Sequence, residues 1–136
     1  MKHRTASRSI CDDPDRYPYF DMVLSDSSKL SDTAKAELKS GKKKCVSTAS
    51  IWEIALKKAI GKLDISYTIV DIVKKCEAYR IDVLPIKPEH LDYISKLPDI
   101  HRDPFDRLII SQAEVEGCSL ITRDELISQY NIPIIW

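Results

Sequence analysis

The chain has 136 residues, 21 basic and 21 acidic side chains, 43% hydrophobic residues and only three glycines, the profile of one ordered globular domain with a core of its own. Balanced charge excludes a wholly basic nucleic-acid-binding body, so any RNA or DNA contact has to come from local patches. No apolar run approaches the roughly 18 residues that a membrane span requires, and no apolar segment follows the basic start Met1-Lys2-His3-Arg4, which argues against a secretory signal.

Residues 1 to 23 carry little pattern: Cys11-Asp12-Asp13-Pro14-Asp15-Arg16-Tyr17-Pro18-Tyr19 has two prolines, clustered charge and no period. From Leu24 the chain becomes orderly. Ser31-Asp32 caps a helix running to Lys39, and Ser40-Gly41 ends it. Lys42-Lys43-Lys44 is a basic run, read as a solvated loop or as a contact to an RNA backbone. Cys45-Val46-Ser47 predicts a short strand, and Ser50 to Ile60 a helix whose stripe includes Ile51, Ile54, Ala55, Leu56 and Ala59, stopped by Gly61. A second amphipathic helix spans Ile69 to Tyr79, and Ile81-Asp82-Val83-Leu84 is a strand closed by Pro85.

Lys87-Pro88-Glu89 opens a helix through Leu97, and Pro98 follows. The next helix starts inside His101-Arg102-Asp103-Pro104-Phe105-Asp106-Arg107, with Asp103 as N-cap and Pro104 at the first position, and ends at Glu116-Gly117. Ser119 to Thr122 reads as a buried strand, Asp124 to Tyr130 as a short helix and Ile132 to Ile135 as the last strand. Strands alternating with helices across short loops predict an α/β fold: a parallel sheet of four to five strands with helices on both faces. Cys11, Cys45, Cys76 and Cys118 lie far apart with no Cys-x-x-Cys pair, which suits reduced thiols in a cytoplasm rather than zinc ligands or a disulfide framework.

In an open parallel sheet, ligands collect at the carboxyl ends of the strands. Three carboxylates fall there by position: Glu53 in the first turn after the Val46 strand, Asp106 in the first turn of the motif helix, and Asp124 just beyond the Ile121 strand. Together they would make an oxygen-rich pocket for Mg2+ or Mn2+. Each also has a plainer reading. Ser50-Ile51-Trp52-Glu53 matches a capping box, Asp103 serves as a cap before it serves as a ligand, and Asp124 can cap the last short helix.

The flanking residues add a resemblance. Ser47-Thr48-Ala49-Ser50-Ile51-Trp52-Glu53-Ile54-Ala55-Leu56-Lys57-Lys58-Ala59-Ile60-Gly61-Lys62-Leu63, His101-Arg102-Asp103-Pro104-Phe105-Asp106-Arg107-Leu108-Ile109-Ile110-Ser111-Gln112-Ala113, and Leu120-Ile121-Thr122-Arg123-Asp124 before the terminal Ile132-Pro133-Ile134-Ile135-Trp136 each resemble a signature of PIN-domain proteins of the VapC toxin type. The resemblance covers Leu24 to Trp136 in the family's order. It implies a PIN-like domain over residues 24–136 and a Mg2+- or Mn2+-dependent ribonuclease, the toxin of a toxin–antitoxin pair, restrained by a small antitoxin and able to form a homodimer. Glu53 and Asp106 would then be metal-binding acids, and Asp124 would complete the site or position the attacking water. Asp103 and Thr122 would stand behind them, while Arg102, Arg107 and Arg123 would contact RNA phosphates.

One departure stands out. The family opens with a strand ending in Asp-Thr-His, followed by an apolar stretch and Trp, and counting back from Leu24-Ser25-Asp26 puts that metal-binding Asp at position 16, where this chain has Arg16. No strand is expected before it, and Asp15 and Asp21 lie in the wrong context to replace it. The genetic code offers an account. Read one nucleotide later with permitted wobble bases, the codons of Asp12 to Val23 can give Met and then Ile-Leu-Ile-Asp-Thr-His-Ile-Leu-Ile-Trp, with the Asp codon starting inside Arg16 and the Trp codon forced by Met22-Val23. Residues 1–23 thus read as an out-of-frame segment, and the expected product is an impaired nuclease. The alternatives are a non-catalytic PIN-fold protein that binds antitoxin or RNA, and an unrelated α/β domain whose acids are only helix caps.

Overall fold

The computed structural model describes residues 9–11, 31–41, 44–122 and 124–136. In chain order they form β1 (Ser9–Cys11), α1 (Asp32–Lys39), β2 (Lys44–Ser47), α2 (Thr48–Ala59), α3 (Ile69–Ala78), β3 (Ile81–Leu84), α4 (Pro88–Ile94), α5 (Pro104–Glu116), β4 (Ser119–Ile121) and β5 (Ile134–Ile135), with a 3-10 turn at Ile127–Gln129. This is the mixed α/β architecture expected of a PIN-like fold. The reading of Asp12 to Val23, with Asp15, Arg16 and Asp21, lies outside the described residues, as do Lys42, Lys43 and Arg123.

Local chemistry explains the helix starts. Ser31 Oγ accepts the Ala34 amide at 3.0 Å to open α1, and Thr68 and Asp71 exchange side-chain-to-backbone hydrogen bonds of 3.0 and 2.9 Å to open α3. Asp103 caps α5 by accepting the Asp106 amide at 3.1 Å, with Pro104 in the first turn. The start of α2 differs from expectation. Ser47, not Ser50, is its N-cap, accepting the Ala49 amide at 3.0 Å, so β2 passes directly into the helix. Ser50 is buried inside the first turn, Glu53 moves to the second, and the Ser50–Glu53 capping box does not form.

Other boundaries shift for equally local reasons. α4 ends at Ile94, because Lys96 and Leu97 turn their amides to the carbonyls of Tyr93 and Ile94 in tighter i to i+3 bonds ahead of Pro98. Lys44 begins β2 rather than a solvated loop, and its Nζ donates to the Ser40 carbonyl at 2.7 Å. Past Asp124 the expected helix contracts to the 3-10 turn, and the last strand to Ile134–Ile135.

The sheet order is β3-β2-β1-β4-β5. β2 runs parallel to β3, and β4 parallel to β5. β1 runs antiparallel to both β2 and β4, so the other four strands point one way and only the central one is reversed. Ser9 pairs with Val46 and Ile121 near the carboxyl ends, and Cys11 with Ser119 at the amino end. This strand was not expected from its residues. Its presence has a physical reason: an empty slot between β2 and β4 would leave two rows of buried backbone donors and acceptors without partners, and an extended segment of either direction can satisfy part of them.

Alternation in β2 builds the two layers. Cys45 packs into a core with Ala49, Leu108, Ile109, Ile110, Ala113 and Leu120, on the side of α5. Its neighbour Val46 packs into a second core with Ile51, Ile54, Ile72, Cys76 and Ile81, on the side of α3. Cys45, Cys76 and Cys118 are all buried, and none forms a disulfide among the described residues.

A buried polar network ties α4 to α5. The fully buried His90 accepts the Lys87 amide through Nδ1 at 3.0 Å, which leaves Nε2 to donate to Glu116 Oε2 at 2.8 Å. Ser111 Oγ donates to the His90 carbonyl, and Gln112 Nε2 donates to the Pro85 carbonyl at 3.3 Å. Gln112 Oε1 accepts from Ser47 Oγ, so the residue that starts α2 is fastened to α5. Burial pushes the Glu116 carboxyl up, but the hydrogen bond from His90 and the charge of Lys87 outweigh it and hold the group below its ordinary range.

Two stability predictions follow from these contacts. A carboxyl whose pKa is depressed by folding stabilises the fold above its unfolded pKa, about 4.3 for Glu, and loses that contribution as pH falls through the folded value. Thermal melts should therefore show wild type more stable than Glu116→Gln at pH 6, with the gap closing as the pH drops below about 4. Gly117 ends α5 at φ 67° and ψ 43°, and a Cβ there would meet nothing within 4 Å. Gly117→Ala should thus cost only the left-handed backbone term, about 1 kcal/mol, read as a drop in Tm of about 3 °C.

Candidate metal centre

The site forms where the carboxyl end of β4 meets the entrance of α5. Asp106 sits in the first turn of α5, fully buried, where the capped helix start and its positive dipole end favour a carboxylate. Asp124 follows β4 by three residues and is also buried. Its two oxygens divide the work. Oδ1 accepts the amides of Leu126 and Ile127 at 2.9 and 3.4 Å and so caps the 3-10 turn, while Oδ2 faces Asp106 across the imidazole of His101. The capping reading and the ligand reading of Asp124 are thus compatible, one oxygen for each.

His101 completes the group, and no sequence signal beyond its place at the head of the motif points to it. Its Nε2 is 3.0 Å from Asp106 Oδ2 and 3.1 Å from Asp124 Oδ2. Ligand atoms of His101, Asp106 and Asp124 all lie within 4.8 Å of one another. Two ionised carboxylates at that separation repel by on the order of 3 kcal/mol at an effective dielectric of 20. An N–H from the ring offsets part of that repulsion, and a divalent cation would offset more. Buried carboxylate oxygens in such convergence suit the hard-cation chemistry of Mg2+ or Mn2+, so the residues fit the metal that the resemblance implies.

The loop before α5 holds His101 in place. Tyr130 Oη accepts the amides of Ile100 and His101 at 3.3 and 2.7 Å and donates to the Pro98 carbonyl at 2.9 Å. Arg107 reaches back from α5 and donates to the carbonyls of Ile94, Pro98 and His101 at 3.1 to 3.2 Å. Its guanidinium therefore clamps the loop that carries His101. Tyr130 is a further residue that sequence did not single out, since its role depends on a contact 29 to 32 residues away.

The remaining expected residues fall around this centre. Asp103 caps α5, and its own amide donates to His101 Nδ1 at 3.2 Å. Thr122 is buried and its Oγ1 accepts the Asp124 amide at 3.1 Å, fixing the turn behind the carboxylate. Arg102 is exposed next to the cluster. Glu53, buried on α2, makes an ion pair with Lys57 at 3.5 Å and is not a member of the three-residue group. Its neighbour Trp52 packs edge-on against Phe105 with ring centroids 4.9 Å apart, which brings α2 alongside the entrance of α5.

The PIN domain family matches residues 20–133, a span that takes in α1 through β4 and all three residues of the cluster. A search of curated proteins gives no match. PIN domains in general are nucleases that bind RNA and use a divalent metal. With the family matched over most of its length, the chain belongs to the PIN domain family.

Proposed function

We propose that this chain is an endoribonuclease of the VapC toxin type, hydrolysing RNA phosphodiester bonds with Mg2+ or Mn2+ and restrained by a cognate antitoxin. The observation that carries the reading is the convergence of Asp106 and Asp124, from two separate elements, on one buried point at the carboxyl end of β4. Those two carboxylates would hold the cation, and Glu53 on the adjoining α2 would serve as the third acid. The bound cation would supply an activated water and offset charge on the phosphorane-like transition state.

The chain's own residues prepare that chemistry. Asp103 starts α5 so that Asp106 enters the pocket from its first turn, and Thr122 fixes the backbone at Asp124. Arg102 and Arg123 would contact the RNA phosphates. Arg107 has its guanidinium on three carbonyls and contributes through the loop instead.

In this reading residues 24–136 are the PIN domain, residues 1–23 are out of frame, and the protein works in the cytoplasm, with a homodimer as its assembly. Among the described residues no helix is long and apolar enough to cross a membrane. By the count back from Leu24, Arg16 would stand where the family's first acid belongs. Loss of groups that merely orient metal ligands commonly costs about 10–100-fold, so loss of a ligand itself should leave activity weaker still.

Two measurements test this proposal. Purified chain should cleave RNA slowly with Mn2+ or Mg2+, and Asp106→Asn should lower that rate at least about tenfold. Equal cleavage by both proteins would reject the enzyme in favour of a non-catalytic PIN-fold binder. Sequencing the coding DNA should reveal an Asp-Thr-His strand one nucleotide out of register across Asp12 to Val23; any other codons there would reject the out-of-frame account.

A further inference from the structure

We propose that His101 is an internal stand-in for the cation, an N–H latch that competes with metal for Asp106 and Asp124 rather than a third ligand. This rests on the reading that those two carboxylates form the cation site. The argument turns on which ring nitrogen carries the proton. Nδ1 of His101 accepts the amide of Asp103 at 3.2 Å, and an atom that accepts an N–H cannot itself carry hydrogen along that line. The tautomer this bond selects carries its proton on Nε2, the atom 3.0 and 3.1 Å from the two carboxylate oxygens.

A metal ligand needs the opposite tautomer. For Nε2 to bind a cation, the proton would move to Nδ1, where it would point at the Asp103 N–H and set two donors against each other. That amide has little room to turn away, because Asp103 is the N-cap of α5 and its Oδ1 is engaged with the Asp106 amide at 3.1 Å. The start of the helix thus selects a donor at the centre of the acidic pair. The Nε2 atom is hydrogen-bonded to Asp124 Oδ2 and has Asp106 Oδ2 3.0 Å away, so it occupies the place where a shared cation would offset both charges.

The latch is held from behind. Tyr130 binds the amides of Ile100 and His101, and Arg107 binds the His101 carbonyl, so the ring is delivered on a pinned loop rather than on a flexible arm. Cation loading then requires the ring to rotate out or the pinned loop to shift, and cation affinity depends on how firmly that loop is tied.

The test is Mn2+ binding, followed by calorimetry and by the loss of the free-ion electron paramagnetic resonance signal, with folding checked by circular dichroism. His101→Ala should bind Mn2+ at least about tenfold tighter than wild type, and Tyr130→Phe should shift affinity in the same direction by less. A long-range 1H–15N spectrum of metal-free wild type should place the His101 proton on Nε2, a readout that needs no variant to fold. Weaker or unchanged binding by His101→Ala, or a proton on Nδ1, overturns the latch. Asp106→Asn should abolish the binding. If it binds Mn2+ as tightly as wild type, the cation site itself is misplaced, which overturns the underlying reading as well.

Discussion

Two buried carboxylates held within 4.8 Å are the constraint on which the rest of this structure depends. Burial removes the water that would screen them, so each needs fixed partners and the pair needs positive character between them. The partners are local: a helix start for Asp106, and two turn amides for Asp124 Oδ1. The positive character comes from His101, brought in on the loop between α4 and α5.

That balance is maintained by contacts distant in sequence. Tyr130 and Arg107 both fasten the loop of His101, while Gln112 links α5 to Ser47 and hence to the start of α2. His90 and Glu116 fasten α4 to the far end of α5. Through this chain of hydrogen bonds α5 acts as the beam against which the loop, α2 and α4 are aligned. Its apolar residues Leu108, Ile109 and Ile110 bury the same helix in the core beneath the sheet, so the acidic centre is anchored by packing as well as by polar contacts.

The centre of the sheet shows a different kind of solution. Four strands share one direction, and a three-residue strand of the opposite direction fills the slot between β2 and β4. Its pairing satisfies part of the exposed ladder, but the strand ends with Cys11 opposite Ser119, at the amino end of β4 rather than at the carboxyl ends where the acids gather. A strand parallel to its neighbours would end at those acids instead. Direction, more than pairing, therefore decides whether the central strand can contribute a side chain to the site.

Much of the framework follows from residues read alone. Period, caps and breakers locate the helices at Asp32–Lys39, Ile69–Ala78 and Pro104–Glu116 and the strand Ile81–Leu84, because caps and breakers act within a turn or two of their own position. The same local logic places Asp106 and Asp124 beside the carboxyl ends of strands. What sequence misjudged depends on tertiary competition. Ser47 takes the cap of α2 from Ser50 while fastened to Gln112, and β1 appears where composition gave no strand because two neighbouring ladders lacked a partner. His101 and Tyr130 acquire their roles from contacts across 5 to 32 residues. Sequence by itself determined the elements and the acids that head them; only the tertiary structure decided that a histidine ring nitrogen stands beside both acids, since that depends on a folded loop rather than on any residue's own preference.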